Sequence, residues 1–182
     1  MREIESRVIG KLKEDEQYEG WWESDFINIP FFDGKKLKIT FLDLEDEKDL
    51  KEADLAIERF LQKGKIEREA ISNLVYRNCM ENLEGVGYNE FNEKLWDIKD
   101  EKEIWKFVYP SGIEVTKRPY KEQDMYVQIC CECEWEIEHG LQIIYRQGKQ
   151  VTRVSYIDGH ITEADAYGKP DWKDELLSKF KE

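Results

Sequence analysis

The stretch from residue 125 to residue 162 limits what this chain can fold into more than any other part of the sequence. From Met125 to Ile137 every odd position is apolar, and from Glu132 to Glu138 every even position is glutamate. Successive side chains of a strand point to opposite faces, so the alternation predicts one strand with a dry face and an acidic face. We expect Trp135 to be buried at the centre of the core on the dry face.

Three features after this strand predict a β-meander. The segments from Leu141 to Arg146 and from Val151 to Ile157 have the composition of strands. Gln147-Gly148-Lys149 has the composition of a turn between them, and Asp158-Gly159 marks a further turn.

Strands and then helices precede the meander. Asp33-Gly34 predicts a hairpin, followed by a strand that buries Leu37, Ile39 and Phe41 and turns Lys36, Lys38 and Thr40 to solvent. One helix with an apolar stripe from Leu50 to Leu61 should end at Gly64, and a mostly buried second helix should run from about Ile66 to Leu83 and stop at Gly85. A short helix after Asp100 should be closed by Pro110, and Asp171 should cap a terminal helix.

This grouping of elements favours an α+β fold. We predict N-terminal antiparallel hairpins, two central helices, a C-terminal antiparallel β-meander and a short terminal helix, in a single domain spanning residues 1–182.

The charge balance excludes some partners and favours another. The formal net charge is -13, from 41 acidic and 28 basic residues. Such a chain is a poor ligand for nucleic acid or for an anionic membrane, and a basic protein is its electrostatic complement. The sequence has no long apolar span and no apolar signal-peptide core, so we expect a cytoplasmic protein with reduced cysteines.

The cysteines and histidines invite comparison with a zinc site. Cys131-x-Cys133 precedes His139, and a second histidine follows at position 160. In a straight strand Cys133 and His139 would lie about 20 Å apart, too far for one coordination sphere. We therefore interpret the cysteines as core residues and expect no metal and no cofactor.

Two other groups of side chains are candidate sites. The glutamate row offers a charged face for a basic partner. Alternate turns of a meander lie at the same end of the sheet, so the turns at 138–140 and 158–160 should meet about 10 Å apart and form an acid and histidine rim. The candidate binding residues are Glu132, Glu134, Glu136, Glu138, His139, Asp158 and His160.

The run from Cys131 to Gln142 and the segment from Asp158 to Thr162 resemble a family of uncharacterised bacterial domains with a C-E-W-E-x-E-H-G-L-Q signature. Segments at 20–22, 29–35 and 103–110 extend this resemblance over most of the chain. The family has no established reaction, and its relation to immunity-type proteins of bacterial toxin systems implies a binding role.

Two functions remain open at this stage. The first is an acidic cytosolic bacterial protein that acts as an immunity-like binding module for a basic partner. The alternative is a small hydrolase-like or metal-assisted enzyme that uses the rim of Glu138, His139, Asp158 and His160. The sequence has no Walker loop, no G-x-S-x-G elbow, no H-E-x-x-H and no dinucleotide fingerprint, which favours the first function over an enzyme.

Overall fold

Ten strands and five α-helices follow one another along the chain in the computed structural model, which describes residues 2–181. The strands are β1 (Glu3–Ser6), β2 (Gly10–Glu14), β3 (Trp22–Ser24), β4 (Ile27–Ile29), β5 (Lys35–Leu37), β6 (Ile39–Phe41), β7 (Val108–Lys117), β8 (Met125–Cys133), β9 (Leu141–Arg146) and β10 (Gln150–Ser155). The helices are α1 (Glu47–Leu61), α2 (Lys65–Ala70), α3 (Ser72–Val86), α4 (Glu93–Trp96) and α5 (Glu163–Ala166). Short 3-10 helices cover Pro30–Phe32, Glu101–Phe107, Asp171–Lys173 and Leu177–Lys179.

Eight of the strands form one sheet in the order β1-β2-β3-β6-β7-β8-β9-β10, and β4 pairs with β5 apart from it. Every pairing is antiparallel except that of β6 with β7. The four helices α1 to α4 lie in the connection between these two parallel strands, as a crossover requires. The predicted α+β fold, with its N-terminal hairpins and its C-terminal meander of β8, β9 and β10, is confirmed.

One face of the sheet carries the main core under α1 and α3. Leu37, Ile39 and Phe41 are buried there as the alternation predicted. Phe60 of α1 lies with its ring centroid 5.5 Å from that of Tyr145 on β9. Asp46 caps α1 by accepting hydrogen bonds from the backbone of Lys48 and Asp49.

The second predicted helix is divided in two. Ile71, with φ -107° and ψ 10°, separates α2 from α3, and its N–H bonds back to the carbonyl of Arg68. The helix also continues past Gly85 to Val86, because Gly87, at φ +83°, is the residue that leaves helical geometry. Only one side of α3 is buried, so the expectation of a mostly buried helix was wrong.

Two further boundaries differ from the prediction. Pro110 lies inside β7, buried beside a bulge, so it does not end the preceding helix, which stops at Phe107. β8 ends at Cys133, four residues before the alternation does. Trp135 is nevertheless buried in the main core, from a turn that follows the strand.

The last part of the chain covers the other face of the sheet. Ile161 packs there against Tyr126 of β8 and Ile144 of β9 in a second apolar cluster. Arg118, fully buried, holds this segment in place through ion pairs to Asp165 and Asp171. The acidic face predicted for β8 is therefore partly a buried face, because Tyr126 and Gln128 lie on it beneath the C-terminal segment.

Candidate functional site

The four glutamates of the predicted row do not form a row. Of the four, Glu132 alone lies in β8, and its side chain is exposed. Glu134 accepts a hydrogen bond from the Tyr109 hydroxyl at 2.5 Å and forms an ion pair with Lys94 of α4. Partial burial raises the pKa of Glu134, but its bonds to Lys94 and Tyr109 outweigh this and leave that pKa below its usual value.

The remaining glutamates lie in the turn between β8 and β9, which packs against α3. Glu136 accepts from the side-chain amide of Asn82 at 3.3 Å and from the backbone of His139 at 3.3 Å. Glu138 is exposed at the tip of this turn. The ring of His139 lies 5.8 Å from that of Tyr156, centroid to centroid.

The turn at 158–160 meets the start of β9, as the meander predicted. Gln142 donates to Asp158 at 3.3 Å and to the His160 carbonyl at 3.1 Å. Both carboxylate oxygens of Asp158, however, accept from the buried Arg153, at 2.7 and 2.6 Å. Burial raises the pKa of Asp158, but the hydrogen bonds and charge of Arg153, together with the backbone N–H of His160, outweigh burial and leave that pKa below its usual value.

These contacts weaken the case for a catalytic rim. Asp158 is held by Arg153 as a structural ion pair, and the His160 ring lies 3.6 Å from it. His139 contacts Glu136 instead, with its Nδ1 3.3 Å from the Glu136 carboxylate. Within residues 2–181, no three His, Cys, Asp or Glu side chains are grouped in a way that would hold a metal ion.

The structure brings forward a surface that the sequence did not single out. The last residue of α3, Val86, and two residues of the loop that follows it, Tyr88 and Phe91, are exposed, and the Phe91 side chain is 83% exposed. The neighbouring β8–β9 turn exposes Ile137, at 89%. Large apolar side chains grouped on a surface are typical of interaction sites.

The loop and the turn are tied together through α3 and α4. Trp135 Nε1 donates to Asn78 of α3 at 3.0 Å, and Glu134 pairs with Lys94 of α4. Four exposed glutamates lie in the same stretch of chain, from the end of α3 to the start of α4. We call this set the α3–α4 surface: Glu81, Glu84, Val86, Tyr88, Glu90, Phe91, Glu93, Ile137 and Glu138.

Charge on the α3–α4 surface is almost all negative. Lys94, the residue after Glu93, is already paired with Glu134. A hydrogen bond to Glu93 raises the pKa of Tyr88, so the phenol keeps its proton and its aromatic ring stays neutral beside the glutamates. The segment 85–93 follows the predicted end of the second helix at Gly85. The three large apolar residues inside that short polar segment were the signal that could have identified it.

The fold and this surface define an α+β protein with an acidic, partly apolar face. Residues 8–161 match the family described as "Domain of unknown function (DUF6985)", and the chain belongs to that family. No curated protein and no solved structure matches the chain. None of the helices within residues 2–181 has the length and apolar character needed to cross a bilayer.

Proposed function

We propose that this protein is a cytosolic binding protein for a basic protein partner, and that the α3–α4 surface is where the partner docks. The observation that carries the proposal is the exposure of Tyr88, Phe91 and Ile137 on two glutamate-bearing segments that are tied to each other through α3 and α4. Aromatic side chains at the centre of an interface supply most of its binding energy, while charges at the border speed association and select partners. An immunity-like role against a basic toxin is one form of this function.

The charge of the whole molecule supports a basic partner. A formal net charge of -13 attracts a basic protein over several ångströms and repels acidic ones. The four cysteines are all free thiols, which suits a protein that works in a reducing compartment such as the cytosol.

Two of the predicted binding residues fall on or beside this surface. Glu138 lies at the tip of the β8–β9 turn, and Glu136 anchors that turn to Asn82. Glu132 lies on β8, and Asp158 and His160 lie with the C-terminal segment. The proposed site thus keeps Glu138 of the predicted residues and adds the aromatic side chains, while Glu136 holds the turn in place.

The test begins with capture of partners from a lysate of the source cells at low salt, followed by purification of each captured protein. We expect a partner with a pI above 7, whose affinity falls steeply as salt is raised. Phe91→Ala should weaken binding of the purified partner by about tenfold or more. Phe26→Ala is the control, since Phe26 is also an exposed phenylalanine, at 63%, but lies in the β3–β4 loop and should change nothing.

Two results would overturn the proposal. One is that no basic protein is retained at low salt. The other is that Phe91→Ala and Phe26→Ala have the same effect on the affinity of a captured partner.

A further inference from the structure

A groove of about 600 Å³ lies on the face of the sheet that the C-terminal segment only partly covers. Its volume is in the range of natural small-molecule sites. Glu114 and Thr116 of β7 and Gln128 of β8 line it from the sheet, and Glu114 stands directly opposite Gln128 in the strand register. Apolar side chains complete its walls: Leu42, Pro119, Ile157 and Ile161.

Glu114 has no charged partner of its own. Burial raises its pKa and is the only cause of that shift, because no cation within the described part of the chain offsets it. A half-buried carboxylate without a charged partner lowers the stability of the fold. Such groups are typical of functional sites, where a bound ligand supplies the missing partner.

Three other charged or titratable side chains of the groove already have partners: Lys117, Asp165 and His160. Lys117 pairs with Asp49 at 2.8 Å, and Asp165 pairs with Arg118 at 2.7 Å. Lys121 lies close enough to Asp165 to lower its pKa, and His160 lies 3.6 Å from Asp158. Asp43 is exposed at the mouth of the groove. The charge that the groove offers to a ligand is therefore negative.

The groove also presents hydrogen-bond acceptors beside Glu114. The Gln128 amide donates to Cys130 Sγ at 3.6 Å, which leaves its oxygen as an acceptor. Thr116 lies two residues from Glu114 on the same face of β7, about 7 Å along the strand. An ammonium group has three donors, and three acceptors stand on these two neighbouring strands.

We propose that this groove binds a small organic cation with a primary ammonium group and an apolar body. The ammonium donates to Glu114, Gln128 and Thr116, and the apolar body lies along Leu42, Pro119, Ile157 and Ile161. The site is on the opposite face of the sheet from α1 and α3, so it is separate from the α3–α4 surface.

Calorimetric titration with n-hexylamine tests the proposal, with n-hexanol and hexanoate as probes of the same chain length. We expect hexylamine to bind at least about tenfold more tightly than hexanol, since a hydrogen bond to a charged group is worth that much. Glu114→Gln should weaken hexylamine about tenfold and leave hexanol unchanged. Glu132→Gln is the matched control, because Glu132 lies on the same face of β8 but is exposed outside the groove.

A measurement on the unmodified protein covers the case in which Glu114→Gln does not fold. The carboxyl carbon of Glu114 can be followed by NMR as the pH is changed, with and without hexylamine. We expect the amine to lower the pKa of Glu114 and to bind more weakly as the pH falls through that pKa. The titration is repeated in His160→Gln, to remove the imidazole of the groove wall.

The proposal is overturned if hexanol binds as tightly as hexylamine, if hexanoate binds most tightly, or if no hexylamine binds. It is also overturned if the Glu114 pKa does not respond to the amine. Phe91→Ala should leave hexylamine binding unchanged, so a failure of the docking function leaves this result intact.

Discussion

The indole Nε1 of Trp135 donates a hydrogen bond to the side-chain oxygen of Asn78, at 3.0 Å, and joins the β8–β9 turn to α3. The indole is buried in the main core even though its residue lies outside any strand. One contact therefore positions both the turn that carries Ile137 and the helix that leads to Phe91. The α3–α4 surface depends on this link.

Trp135→Ala should lower the free energy of unfolding by about 3–5 kcal/mol, because it opens a cavity in the core and leaves Asn78 without its partner. Glu134→Ala, one residue earlier, should cost about 1 kcal/mol, since it removes a partly exposed ion pair with Lys94 and a hydrogen bond from Tyr109 but opens no cavity in the core. Denaturant titration of both variants measures the difference. Equal midpoints would show that Trp135 does not help to hold the core together.

The meander could be predicted from the sequence because apolar alternation and turn residues determine strands and turns within a few consecutive positions. These patterns could not predict where β8 ends, since the alternation continues through Glu134 and Glu136 although those side chains bond to α4 and α3. These partners are more than 35 residues away in sequence and are visible only in the folded chain. The break at Ile71 has no local signal either, because an isoleucine there suits a continuous helix.

The candidate sites were predicted in part. The meander placed the 158–160 turn at the start of β9, and Gln142 of β9 does donate to Asp158. Sequence spacing could not show that the buried Arg153 takes both oxygens of that carboxylate. The groove could not be predicted from the sequence for a similar reason. Whether Glu114 has a charged partner depends on where cations distant in sequence lie in the folded chain.

The C-terminal segment should depend on Arg118. Its guanidinium is fully buried and donates to Asp165 at 2.7 and 2.9 Å and to Asp171 at 2.8 Å through two of its nitrogens. Arg118→Ala leaves these carboxylates without their cation, and we expect a loss of about 2–4 kcal/mol in unfolding free energy. Limited proteolysis should then cut first within residues 156–181.

Lys121→Ala is the control for this variant, because Lys121 is exposed and lies near the same carboxylates. It should change stability by less than about 0.5 kcal/mol. A proteolysis pattern for Arg118→Ala that matches the unmodified protein would contradict the anchoring role.

Acid should weaken the same anchor. Hydrogen bonds from Arg118 hold the pKa values of Asp165 and Asp171 below their usual range. A carboxyl whose pKa is lower in the folded state stabilises the fold above the usual aspartate pKa of about 3.9, and that contribution is lost as the pH falls through the lower native value. Unfolding free energy should therefore fall below about pH 4, and less steeply in Arg118→Ala. Parallel pH curves for the two proteins would contradict this.

The thiols should be slow to react while the protein is folded. Burial raises the pKa of Cys79 and of Cys130 to about 12, and that of Cys133 to about 11. Burial also raises the pKa of Cys131 well above its usual value. Because the thiolate is the nucleophile, a disulfide reagent at pH 8 should label the cysteines of the folded protein far more slowly than those of the denatured protein. Cys130 should react first, since it is only partly buried and the other three are buried. Rapid native labelling of Cys79 or Cys131 would contradict the packing described here.

Gly148→Ala should be among the most damaging single-atom changes in the chain. Gly148 lies in the β9–β10 turn at φ +65°, and an added Cβ would stand 1.9 Å from the carbonyl oxygen of Ala56 on α1.

Gly159→Ala is the matched control, since Gly159 has φ +78° and nothing within 4 Å of the added atom. The control should cost about 1–2 kcal/mol from its backbone geometry alone. Gly148→Ala should cost roughly 1–3 kcal/mol more, because the turn and α1 must move apart. Thermal or denaturant unfolding of the two variants separates these terms. Equal losses would mean that α1 does not approach the turn as closely as the structure shows.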